Sequence, residues 1–493
     1  MTSLLITNAA VFDAAIGREG RDVTPTDVAV VDGEIVAVGP DARTAAEFDE
    51  VVDAGGRVVI PGLINAHLHS NQTLEAGLCD ELPLDAYLVL ASYGGAGARF
   101  SPHELGLSAK VGALDMLLGG TTSVVDCARS DDEWFADGMD AVCQAYADLG
   151  IRAGVAAQYS DLDYMSSIPG WLIDGSHTAG VPRLSVDEVM GPVGAFVTRW
   201  SSRTPLVRPM LGPSSLPRCS VELFESSVEL SRGSGVPLQT HLLSASGQVE
   251  VARQRYAGST VGFLEKVGAL EATSSFAHAI WLDPREIGIM AEHAAVAVHN
   301  PASNLKLSAG LAPIPDLLAA GAPVALGSDG ASSNDSLNMF ETLKLSALVQ
   351  RVRGPLAPSP KALDALEMLW DGGRAVLGQP VGRIAPGYRA DLVILDRLRF
   401  SPGPAAQIAN QLVFAELGQS VEDVYVDGRR LVAGRQLVGV DEAAIRDEAR
   451  EVRERLWAGL PERLQRFEER RPFLESLEAS LAGIELDFAR YWS

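Results

Sequence analysis

Short apolar runs alternate with helical patterns through the middle of the chain, and eight of those runs end in a polar or metal-capable residue. They cover residues 58–69, 122–127, 152–160, 206–214, 236–244, 274–280, 294–300 and 323–329. Such alternation is the mark of repeated β-α units, in which each helix covers the strand before it and the strands pair in parallel. Eight strands close a (β/α)8 TIM barrel, so residues 61–380 are expected to form one, with its reactive groups at the C-terminal strand ends.

The flanks have a different texture. Residues 28–31 and 35–38 bracket Asp32-Gly33, and residues 424–426 and 430–432 bracket Asp427-Gly428, both two-residue hairpin signals. With a strand expected at 390–395, residues 1–60 and 381–440 read as two halves of one small β-sandwich domain into which the barrel is inserted. Residues 161–205, with several Gly, Pro and Ser, are expected to loop over the barrel mouth. Residues 441–493 turn rich in Glu and Arg, and Ile445, Ala449, Val452 and Leu456 share one helix face, which predicts a helical extension. Leu464, Phe467, Phe473, Leu474, Leu477, Leu481, Leu486 and Phe488 are more apolar area than a free helix exposes. This tail must bury against its own barrel or a second subunit, and a homo-oligomer is expected.

Charge and cysteines narrow the function. Against 40 Lys and Arg stand 64 Asp and Glu, a net charge of −24, which argues against nucleic acid and anionic membrane surfaces but by itself names no partner. The first residues lack a basic segment followed by an apolar core, and no run is apolar enough to span a bilayer. Cys79, Cys127, Cys143 and Cys219 form no CxxC pair, so a reduced, cytoplasmic chain without disulfides is expected.

Five of the eight histidines (His67, His69, His241, His278 and His299) fall at expected strand ends. The spacing of His67 and His69 puts both imidazoles on one side of a strand. With His241 and Asp329 they make a donor set suited to one divalent cation, zinc first, with iron, manganese or cobalt also accommodated, and a position left for water. His103, His177 and His293 lie away from strand ends and read as structural or solvated.

At these residues the chain resembles the amidohydrolase superfamily, in its cytosine deaminase-like branch of guanine, 8-oxoguanine and S-adenosylhomocysteine deaminases and s-triazine hydrolases. The likeness covers about residues 1–440 and rests on the PGLINAHLH segment at 61–69, Gly120-Thr121-Thr122, the run from His299 through Asn304 to Gly310, Ser328-Asp329-Gly330, and the segment 387–393. The resemblance implies a mononuclear metal held by His67, His69, His241 and Asp329, with His278 near the metal-bound water. Asp329 would then take the proton from that water, and His278 would polarise the electrophilic centre. His299, Asn304 and Gln72 are further candidates for touching substrate.

Two departures bear on the substrate. Where the deaminases of this branch carry a Glu three residues after the strand-five histidine, this chain has Ser244, which has no accessible proton-transfer pKa. Ser244 weakens aromatic deamination and favours an alternative reading, an amide, urea or (thio)carbamate hydrolase. The strand-four segment 211–217 carries no histidine, where the resemblance to the nucleoside deaminases of the branch implies one for substrate recognition, which disfavours a ribosylated substrate. Glu75, Asp80, Tyr87 and Tyr93 are candidate pocket residues. The expectation is a metal-dependent hydrolase of a non-peptide C–N or C–Cl bond in a small cyclic compound, acting as an aminohydrolase or chlorohydrolase.

Overall fold

The computed structural model describes residues 3–77, 82–88, 99–130, 135–169, 184–271, 273–396 and 403–486, with the single residues 133, 172 and 488. Cys79, Asp80, Tyr93 and His177, singled out above, lie outside the described residues. Five strands open the chain: β1 (Ser3–Val11), β2 (Pro25–Val31), β3 (Glu34–Val38), β4 (Glu50–Asp53) and β5 (Val58–Pro61). Eight more follow as β6 (Leu63–Leu68), β7 (Thr121–Asp126), β8 (Arg152–Tyr159), β9 (Val207–Pro213), β10 (Leu238–Leu242), β11 (Ser274–His278), β12 (Val296–His299) and β13 (Val324–Leu326). The last four are β14 (Leu392–Leu395), β15 (Val421–Val426), β16 (Arg429–Ala433) and β17 (Gln436–Leu437).

Strands β6 to β13 lie side by side in chain order, all parallel. The two ends of this row are brought together by the Asp329 backbone N–H on the His67 carbonyl at 3.0 Å. Asn65 adds to the closure, donating to Ser328 Oγ at 2.7 Å and accepting from the Ser328 backbone at 3.0 Å. The barrel is the expected one, with one change of register in the chain: the run 58–69 is two strands, and β5 belongs to the other sheet. Gly62 is the crossing point, where a Cβ would stand 2.0 Å from Thr122 Oγ1.

The outer strands bond in the order β17-β16-β15-β14-β5-β1-β2-β3, with β4 beside β1. Both halves of the chain therefore enter a single continuous sheet, joined where β14 runs antiparallel to β5. Asp32-Gly33 and Asp427-Gly428 turn its hairpins with positive φ at all four residues, as the sequence signal requires. The sheet is stitched to the barrel by Arg152 at the start of β8, whose buried guanidinium forks onto Asp391 at 2.7 and 2.9 Å and reaches Asp427 at 2.7 Å. This tie lies at the N-terminal end of the strands, so the opposite mouth stays free for chemistry.

Within 161–205 the structure has more order than a loop: Val186–Trp200 is a helix, started by a capping box between Ser185 and Glu188. The tail forms three helices, Glu442–Ala458, Leu460–Glu468 and Arg471–Leu481. Phe467, Leu474, Leu477 and Leu481 pack with Tyr87, Tyr164, Ile168 and Leu307 of the same chain, so these residues are covered by the barrel's own rim rather than by a second subunit. Leu464 stays 39% exposed. No helix among the described residues is long and apolar enough to cross a membrane.

Candidate active site

Strand β6 delivers His67 and, one residue past its end, His69; β10 delivers His241, β11 His278, and the turn after β13 Asp329. Three of these strand ends bend into the left-handed region, at Leu243 (φ 44°), His278 (φ 74°) and Asp329 (φ 62°). Residues with a Cβ hold such angles at about 1–3 kcal/mol each, strain that the surrounding bonds must maintain.

The proton on each imidazole can be assigned from its partner. His69 Nδ1 faces the Cys127 carbonyl at 2.7 Å and His241 Nδ1 the Ser214 carbonyl at 2.6 Å, so each donates there and leaves Nε2 bare. His67 Nδ1 faces Gln239 Oε1 at 2.7 Å, and Gln239 is oriented by donating Nε2 to the Ala66 carbonyl at 2.9 Å and Ser275 Oγ at 3.1 Å. His67 Nε2 is therefore bare too, and it is buried without a hydrogen-bond partner. The bare Nε2 atoms of His69 and His241 stand 3.2 Å apart, and Asp329 Oδ1 lies 3.5 Å from His69 Nε2 and 3.7 Å from His67 Nε2. Lone pairs facing one another in a buried cluster need a cation between them. Tetrahedral coordination at about 2.0–2.1 Å sets ligand atoms about 3.3–3.4 Å apart, so the residues present fit a divalent metal.

Burial keeps the donors in the form a metal needs. Desolvation, reinforced by the neighbouring His69, pulls His67 down to about 3, and burial with its imidazole neighbours takes His241 well below its ordinary value. Burial alone would push the Asp329 carboxyl up, but His278, His69 and His67 outweigh it and hold the group ionised. His299 is likewise pulled down to about 3, by burial and then by His278. Because unfolded histidines titrate near 6.5, the unfolded chain takes up these protons first as pH falls. Chelator-treated protein should therefore lose thermal stability as pH drops from about 6.5 toward 3, and a His299→Gln variant should show a flatter melting profile between pH 7 and 5. A profile as steep as the parent's would refute the assignment.

The other candidates divide. Asn304 Oδ1 lies 2.9 Å from His278 Nδ1, with Asn300 Nδ2 at 3.4 Å, so Asn304 positions His278, whose Nε2 faces Asp329 Oδ2 at 3.9 Å. Gln72 lines the cavity and is pinned by Ser332 Oγ at 2.9 Å and by Gly330, where a Cβ would collide with its Oε1 at 1.8 Å. Ser244 and Tyr87 line the cavity, whereas His299 is fully buried outside its lining and Glu75 is absent from it. His103 pairs with Glu448 at 2.5 Å and His293 with Glu265 at 3.2 Å, and neither lines the cavity.

Sequence reasoning missed Gln239, Asp126, Asp85 and Tyr164. Gln239 was readable, since it precedes His241 by two in one strand and so shares its face. Asp126 ends β7 and accepts from the Ser70 backbone at 2.9 Å and Tyr146 at 2.8 Å, fixing the segment after His69. Asp85 and Tyr164 meet in a hydrogen bond at the cavity wall, from segments nothing in the sequence links.

A parallel eight-stranded barrel whose mouth gathers two overlapping donor groups able to hold a metal ion, His67, His69 and His241 in one and His67, His278 and Asp329 in the other, is the architecture of a metal-dependent hydrolase. The chain belongs to the amidohydrolase family, whose model matches residues 58–431. It is 33% identical to a 5-methylthioadenosine/S-adenosylhomocysteine deaminase of Desulforudis audaxviator, over 92% of this chain and 99% of that one. It is 31% identical to a 5'-deoxyadenosine deaminase of Methanothermobacter thermautotrophicus, over 89% and 95%. Among solved structures, an adenosine deaminase from Xanthomonas campestris with bound zinc superposes with a TM-score of 0.80 at 28% identity, covering 93% of this chain and 99% of that one. An atrazine chlorohydrolase from Arthrobacter aurescens, complexed with zinc, gives 0.77 at 26%, covering 91% and 100%.

Proposed function

We propose that this hydrolase replaces an exocyclic amino group on a small nitrogen heterocycle by water, with zinc as its single resident cation. The observation that carries the reading is the facing of bare Nε2 atoms from His67, His69 and His241, with Asp329 Oδ1 within 3.7 Å of the first two, beside a cavity that His69, His241 and Asp329 line. The zinc in two solved relatives supports the choice of metal; the same donors accommodate iron, manganese or cobalt. When bound, such a cation supplies the Lewis acidity that makes water a nucleophile near neutral pH.

The chain's own groups do the rest. Asp329, ionised and at the cavity floor, accepts the proton of the attacking water. His278, with Nδ1 committed to Asn304, presents a bare Nε2 to Asp329, receives that proton, and as an imidazolium steadies the charge developing on the attacked ring. The proton then leaves with the departing nitrogen.

The relatives do not favour the amide, urea or carbamate reading drawn from Ser244, since they are named for deamination and dechlorination. Three of them are named for nucleosides, against the expectation drawn from the segment 211–217. Ser244 itself supports a second reading, chloride displacement, because chloride departs as an anion and needs no proton. The test is a release assay on metal-loaded enzyme, scoring ammonia and chloride separately over aminopurines, adenosine-type nucleosides and chloro-s-triazines. Ammonia from an amino heterocycle is expected. Chloride alone would install the second reading, and neither product from protein with full metal content would reject both.

A further inference from the structure

In the first helix of the tail, Arg446, Arg450 and Arg453 are spaced four and three apart, so they share one face of Glu442–Ala458 with Ala449 and Trp457. That face walls a groove of about 510 Å³, whose other side is Leu74 of the turn Ser70–Glu75 and Val111 of the helix Pro102–Leu118. Small-molecule sites typically enclose roughly 300–1,000 Å³. Leu74, Val111 and Ala449 are buried while Trp457 stays 47% exposed, so the apolar lining ends in an indole open to solvent. None of these residues lines the cavity at the barrel mouth.

The three guanidiniums are engaged to different degrees. Arg446 is held by Asp115 and by Glu442, each at 2.7 Å. Arg450 has Asp447 at 2.8 Å, a solvent-exposed pair of little net energy. Arg453 makes no ion pair among the described residues: it donates Nη2 to the Ala76 carbonyl at 3.1 Å, which fixes the side chain and leaves its other donors uncommitted. One carboxylate, the exposed Glu454, also lines the groove. In a chain of net charge −24, whose long-range field repels anions, three arginines against one glutamate are a local reversal of sign.

We propose that this groove is a second binding site, separate from the barrel mouth, for a small apolar carboxylate. Its hydrocarbon body lies along Leu74, Val111, Ala449 and Trp457, and its carboxylate pairs with Arg453 and Arg450. A guanidinium fork matches the two oxygens of a carboxylate, which distinguishes the acid from a neutral compound of the same shape. Glu454 opposes the same charge and so limits the affinity. Nothing in this site depends on which heterocycle the barrel hydrolyses.

The test uses the full-length, metal-loaded protein with 4-phenylbutyrate and its amide as probes. Binding is followed by calorimetry and by tryptophan emission, and Trp457→Phe identifies the indole that responds. Phenylbutyrate should bind once per chain, about tenfold more tightly than the amide. Arg453→Met should erase that preference at unchanged melting temperature. Glu454→Gln, which removes the opposing charge, should tighten phenylbutyrate about two- to threefold. No binding, equal binding of acid and amide, or an emission change that persists in full in Trp457→Phe overturns the proposal. So does an acid preference that survives Arg453→Met, which would put the carboxylate elsewhere, the metal included. A protein that sediments as a dimer and exposes Trp457 only on dilution would overturn it as well, by giving the groove to a second copy of the chain.

Discussion

A His241→Ala variant is expected to fold, to lose its divalent metal, and to fall in kcat/KM by on the order of 10³-fold or more. The residue carries one of the three bare Nε2 atoms and stands 3.2 Å from His69 Nε2, so its removal takes away one side of the cation cage. The fold should survive, because the side chain serves β10 only through Nδ1 on the Ser214 carbonyl while the strand pairs with β11 through its backbone. Metal analysis with circular dichroism checks both halves. A variant that retained full metal content and normal turnover would show that the imidazole cluster is not the reactive centre.

Asp329→Asn is the second large effect, with a different signature. Asparagine keeps the size of the side chain and adopts left-handed backbone more readily than most residues, so the φ of 62° at this position is not a reason for failure. What disappears is an ionised group able to take a proton. The rate should fall by about 10²–10⁴-fold, while metal affinity declines far less than in His241→Ala. If Asp329→Asn retained activity within tenfold of the parent, proton acceptance would have to move elsewhere, with His278 the next group in reach.

Much of this centre was legible because strands impose a period of two and place chemistry at their ends. His67 and His69 obey that period, and so do Gln239 and His241, although only the histidines draw attention by residue type. The double strand at 58–69 was not legible as two, because apolar content is continuous across it and only the space around Gly62 shows where the chain changes sheets. The helix at Val186–Trp200 announced itself through Ser185 and Glu188, a local signal outweighed by the Gly and Pro around it. The roof of the cavity had no sequence signal: Leu477 and Leu481 cover Tyr87 and Tyr164 across hundreds of residues, and periodicity reports that a face is buried but not against what.

The pairing of β5 with β14 gives the protein a problem in time. Ile60 and Val393 are partners in the sheet, yet the ribosome makes the second more than 300 residues after the first. At about 5–20 residues per second, β5 waits some tens of seconds with one edge open, next to β1, which is already able to pair with it. An open edge of Val58-Val59-Ile60 is a template for another nascent chain. Growth temperature and chaperone supply should consequently govern how much of this protein is recovered, more than the stability of the finished fold does, and a circular permutant that joins the two ends of the sheet early in synthesis would shorten that exposure.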